Sequence, residues 1–108
     1  HGGIAQGIGG AIFEQLIYDN DGQLLTSNMA DYMLPRSTDI PDIDIISLES
    51  PSPNNPLGIK GTGEGGTIGP PSVLAAAVED ALNSFGVKIK STPLTPGNIL
   101  DAIKSAKQ

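Results

Sequence analysis

Apolar positions follow a helical period near both ends of the chain and an alternating one in between. Ile4, Ile8 and Ile12 share one stripe, with Ala5 and Ala11 beside it, which predicts a helix over residues 2–13. Gly2, Gly3, Gly7, Gly9 and Gly10 lie in the same stretch, and each interior glycine costs a helix roughly 1 kcal/mol relative to alanine. A helix that keeps them is one whose backbone comes very close to something, a neighbouring element or a ligand. Next, residues 15–18 and 23–27 flank Asp19-Asn20-Asp21-Gly22, a turn signal that predicts a β-hairpin. Pro35 and Pro41 mark a wandering connection to residues 42–48, which alternate and then slip at Ile45-Ile46. That pattern predicts a strand with one buried face and a bulge.

Pro51, Pro53 and Pro56 bar regular structure across 50–57. Residues 58–69 form a loop with six glycines in twelve positions. Pro70 and Pro71 open a helix whose apolar face is Val73, Leu74, Ala77, Val78, Ala81, Leu82 and Phe85, and Gly86 stops it. Residues 87–91 read as a short strand. Thr95-Pro96 starts a last helix, with Ile99, Ile103 and Ala106 inward. Helix, three strands, helix, strand, helix predicts an α+β fold: two layers, a small mixed sheet packed by about three helices. With no internal repeat or linker, residues 1–108 read as a single domain.

Composition sharpens this picture. The chain has 108 residues, 38% hydrophobic and 4% aromatic, with 14 glycines and 9 prolines. So few large side chains predict a marginal core that gains from packing against more protein. The net charge is -6, and Arg36 is the only arginine. A nucleic-acid partner is not expected without a basic footprint, nor a membrane span without an apolar run of about 18 residues. The absence of cysteine excludes a disulfide framework, thiolate zinc or a cysteine-bound iron–sulfur cluster on this chain. No leader is evident, which points to the cytoplasm, and His1 opens directly inside patterned sequence, as in a piece of a longer protein.

The most informative segment is Lys60-Gly61-Thr62-Gly63-Glu64-Gly65-Gly66. Gly61, Gly63 and Gly66 match the dinucleotide spacing, but prolines rather than a strand precede the loop. A glutamate would also bring negative charge into a phosphate cradle. A carboxylate among glycines, just before a helix, suits a general base delivered into a shared cavity. It also suits a solvated glutamate near a helix N-terminus. Other features have plain readings. His1 is structural rather than a ligand. Asp42 and Asp44 form a solvent face or, with Asp39, a weak cation site. Met29 and Met33 serve packing, and Lys60 is a loop anchor or a charge partner for Glu64.

His1-Gly2-Gly3-Ile4-Ala5-Gln6-Gly7-Ile8-Gly9 resembles the glycine-rich helix of the large subunit of xanthine dehydrogenase/aldehyde oxidase-type molybdenum hydroxylases. The likeness continues through Tyr18-Asp19, Gly22-Gln23-Leu24-Leu25, Asp31-Tyr32, Leu34-Pro35, Pro51-Ser52-Pro53 and Asn55-Pro56-Leu57-Gly58. It then runs through Lys60-Gly61-x-Gly63-Glu64 to Pro93-Leu94-Thr95-Pro96, in one order along essentially the whole chain. The His-Gly-Gly start leans toward the aldehyde and carbon monoxide dehydrogenase branch.

The resemblance implies a C-terminal piece of a molybdenum cofactor-binding subunit, oxidising an aldehyde, carbon monoxide or an N-heterocycle. The cofactor it implies is molybdenum–molybdopterin, in the cytosine dinucleotide form. Glu64 matches the family's catalytic base. Gln6, Gly7 and Gly63 match cofactor-contacting positions, Gly7 and Gly9 letting the helix approach a bulky cofactor. No protein side chain here is implied as a metal ligand. Implied partners are the remainder of the molybdenum subunit and the iron–sulfur and flavin subunits or domains. The alternative is a non-catalytic split or truncated assembly domain, and on either reading the isolated chain is expected to be inactive.

Overall fold

Glycine does not stop the first helix, but it changes its pitch. In the computed structural model, which describes residues 1–107, Gly2–Ile8 is α-helical (α1) and Gly9–Phe13 continues as a π-helical turn. Glu14 N donates to Gly9 O at 2.9 Å, closing the wider ring of a π turn. A four-residue helix, Gly65–Ile68 (α2), follows the glycine loop. Pro70–Ala81 (α3) begins with proline, whose missing N–H costs nothing in a first turn. A 3-10 turn at Asn83–Phe85 then leads to Gly86, which stops the helix in the left-handed region at φ 68°. Pro96–Ala106 (α4) is capped by Thr95, whose Oγ1 accepts from Asn98 N at 3.3 Å.

The expected sheet does not form, and the α+β assignment is corrected to a helical chain wrapped by irregular segments. Among the described residues, β pairing is limited to one isolated antiparallel bridge, Tyr18 with Leu24. The predicted turn is present: Asp19 Oδ1 accepts from Asp21 N and Gln23 N, both at 2.9 Å. Beyond it Ile17 N donates to the Thr26 hydroxyl rather than to a carbonyl, and the ladder ends. Residues 87–91 are not a strand either, because Ile89 N donates to Glu79 Oε2 at 3.0 Å, a side chain of α3. Residues 42–48 take no regular structure and, among the described residues, make no backbone hydrogen bond. Alternation marks a segment that fits a sheet, and among the described residues no partner strand stands beside it.

The core is small. Ala11, Val87 and Leu94 are its buried apolar side chains, where the π turn meets residues 87–94. Leu94 N donates to Ala11 O at 2.6 Å across this junction. On α3 and the turn after it, Leu74, Val78 and Leu82 are half-buried while Val73 and Phe85 are exposed, so the predicted apolar face is only partly used.

The chain measures 57 × 37 × 28 Å with a radius of gyration of 17.7 Å, against about 13 Å for a closed domain of this length. Its accessible surface is 8170 Å², where a globule of 11.1 kDa would show about 5,700 Å². No described helix is long and apolar enough to cross a membrane.

Candidate functional site

Two glycines far apart in sequence touch, and that contact organises the site. A Cβ added to Gly3 would stand 2.9 Å from the Cα of Gly66, and one added to Gly66 would stand 3.0 Å from the Cα of Gly3. Real Cβ atoms do not approach backbone so closely, so α1 and α2 lie main chain against main chain. Gly7 continues the seam: its Cβ would meet the Pro70 ring at 2.8 Å and Thr67 O at 3.0 Å. Gly9 is covered by the Glu14 carboxylate and the Pro35 ring. The close approach expected of this helix is therefore made by the chain's own elements at Gly3, Gly7 and Gly9.

Glu64 is the residue before α2. Its carbonyl accepts from Thr67 N at 3.1 Å, and Gly65 N donates to Thr62 O at 3.2 Å, so the loop turns tightly into the helix. The carboxylate itself is exposed and, among the described residues, has no hydrogen-bond or ion-pair partner. Cβ atoms built on Gly61, Gly63 and Gly65 would meet nothing within 4 Å. Among the described residues, no neighbour requires glycine at these positions.

Upstream, residues 51–59 are closed by a side chain. Asn55 Nδ2 donates to Ile59 O and Asn55 Oδ1 accepts from Ile59 N, both at 2.9 Å, as a paired strand would. Ser52 N donates to Gly58 O at 3.0 Å, and Gly58 takes φ 65° to complete the turn. Lys60 Nζ donates to Ser50 Oγ at 3.1 Å, which makes it a loop anchor. The sequence reading missed Asn55. An asparagine three residues before a glycine in a proline-rich stretch is a turn-forming signal that could have found it.

Gln6 sits on α1 one turn beyond Gly3, exposed and, like Glu64, without a partner among the described residues. The Gly3–Gly66 contact thus brings together the two elements that carry Gln6 and Glu64, while Gly63 lies on the open side of the loop. Tyr32 donates to Glu14 Oε2 at 2.5 Å, and that hydrogen bond raises the Tyr32 hydroxyl above its ordinary pKa. Asp39 pairs with Arg36 at 3.0 Å, and that hydrogen bond lowers its pKa. Asp39 is thereby engaged by a cation already. Among the described residues, no three His, Cys, Asp or Glu gather as a metal-binding group. A groove of about 330 Å³ runs between residues 86–91 and α4, and a hollow of about 340 Å³ lies beside His1, Ala5 and Arg36. Neither includes Gln6 or Glu64.

Comparison with known proteins gives one answer. Residues 1–41 match the molybdopterin cofactor-binding domain family. The chain is 43% identical over 103 residues to the nicotine 6-hydroxylase large subunit of Paenarthrobacter nicotinovorans, covering 95% of this chain and 13% of that one. It is 33% identical to the carbon monoxide dehydrogenase large chain of Hydrogenophaga pseudoflava, covering 96% and 13%. The crystal structure of quinoline 2-oxidoreductase from Pseudomonas putida 86 superposes with a TM-score of 0.88 at 48% identity, over 95% of this chain and 13% of that one. The chain therefore spans about an eighth of the relatives it matches.

Proposed function

Because the chain belongs to the molybdenum hydroxylase family as a segment of its large subunit, we propose that it forms the base-bearing wall of a cytoplasmic enzyme's molybdenum cofactor site. The observation that carries this reading is Glu64, exposed and unpartnered on a loop seated main chain to main chain on the helix of Gln6. The residues fit such a group in kind. The site offers hydrogen-bonding side chains rather than metal ligands, and bare backbone at Gly61 and Gly63 leaves room for something bulky to lie against it.

The cofactor, in our reading the cytosine dinucleotide form of molybdopterin, supplies when bound the metal-centred oxidation of a carbon in an aldehyde, carbon monoxide or an N-heterocycle. The chain's own part is positioning and proton transfer. Glu64 accepts at its Oε atoms the proton that the oxygen nucleophile gives up. Gln6 offers a carboxamide, donor at Nε2 and acceptor at Oε1, to the bound group. Gly7 lets Pro70 seat against α1 and so fixes where Gln6 stands. The remaining walls, and the iron–sulfur and flavin partners that take electrons away, lie outside these 108 residues. A purely assembling role for the chain when it is alone is favoured by its large exposed surface, and is compatible with this one.

The test is Glu64→Gln in the assembled enzyme. It keeps the shape of the side chain and removes the proton acceptor. Molybdenum content should stay near wild type, while reduction of the cofactor by substrate slows by about 10²–10⁴-fold, the usual contribution of a general base. Reduction at the wild-type rate would remove the claim.

A further inference from the structure

Residues 42–48 alternate like a strand at first yet carry no regular secondary structure, and none of residues 41–50 makes a backbone hydrogen bond among the described residues. Three of their four apolar side chains are exposed, Ile45 at 52%, Ile46 at 83% and Leu48 at 91%, while Ile43 is half-buried. In extended chain Ile43 and Ile45 lie on one face and Ile46 and Leu48 on the other, so both faces call for cover. Unpaired amides and carbonyls along such a segment are a template for another strand.

Charge tells which strand. Asp39, Asp42, Asp44 and Glu49 fall within residues 37–59, which hold no lysine or arginine. An antiparallel pair of copies centred on Ile45-Ile46 would set Asp42 opposite Glu49, and a parallel one would set aspartate on aspartate. Like charges directly opposite are destabilising, whereas opposite charges stabilise a pair. A second copy is therefore a poor partner and a basic strand a good one. About 2,500 Å² of surface beyond that of a closed globule, and relatives of which this chain spans 13%, supply both the need for such a partner and its source.

We infer that residues 42–48 are a β-strand lent to a sheet outside this chain: they pair with a strand of the rest of the large subunit that carries Lys or Arg opposite Asp42 and Asp44. The inference rests on the chain being a segment of that subunit and is independent of the role given to Glu64.

The experiment is amide hydrogen exchange on the 108-residue chain alone and on the same chain assembled with the rest of its subunit, with molybdenum content and turnover measured separately. Amides of residues 43–48 should exchange at least about 100-fold more slowly in the assembly, and fast in the free chain. A double variant, Asp42→Lys with Asp44→Lys, changes two exposed side chains. It should keep the helical signal of the free chain and lose the added protection in the assembly. Equal exchange in both states overturns the inference. So does protection already present in the free chain together with a sedimenting dimer, which would make a second copy the partner. Wild-type protection of the charge-reversed strand would overturn the basic partner. A Glu64→Gln enzyme of normal activity would leave all of these exchange results where they stand.

Discussion

Glycines with the same lack of a side chain do different work here, and substitution should separate them. A methyl group at Gly66 has only the backbone of Gly3 to displace, 3.0 Å away. Gly66→Ala should weaken the α1–α2 junction by about 1–3 kcal/mol, the usual cost of overpacking. A methyl group at Gly10 meets nothing within 4 Å, and Gly10→Ala should instead stabilise the helical segment by roughly 0.5–1 kcal/mol through lost chain entropy. Urea titrations followed by far-ultraviolet circular dichroism would report both, and equal responses would contradict the assignment of Gly66 to a contact. The crowding of glycines in residues 2–13 announced a close approach, but not its object. Nothing local in the chain says that position 3 will meet position 66. Gly61 and Gly63 are the reverse case, legible as a loop and still open on their Cβ side after folding.

Elements whose bonds are local were readable, and those that depend on a distant partner were not. The stop at Gly86 and the cap at Thr95 are set by neighbours in sequence, and both stand as expected. The strand at 87–91 failed because Glu79, on another element, takes the Ile89 amide while its other oxygen holds Lys88 Nζ at 2.7 Å. That clasp has a pH signature. The hydrogen bond from Lys88, and then the one from Ile89, lower the pKa of Glu79. A carboxylate lowered on folding contributes stability above its unfolded pKa and loses it as pH falls through the lowered value. The exchange protection factor of the Ile89 amide should therefore be constant near neutrality and fall in the acid range. In Glu79→Ala it should be low throughout. Protection that is unchanged by acid would place the anchor of this segment elsewhere.

Taken as a whole molecule, the chain has much exposed surface and little core of its own, with Leu57 at 82% exposure. Purified alone, it should carry no stoichiometric molybdenum and no pterin fluorescence, since on the proposed reading Gln6 and Glu64 would hold a group from one side only. Metal analysis finding a full equivalent would show that the walls outside this chain are dispensable. The Gly3–Gly66 contact has a further consequence, in time rather than space. It joins chain segments separated by roughly sixty residues, so a large loop must close before it rewards the chain, and such non-local contacts form late in folding. The Glu64 loop is thus expected to settle after the elements whose hydrogen bonds are local.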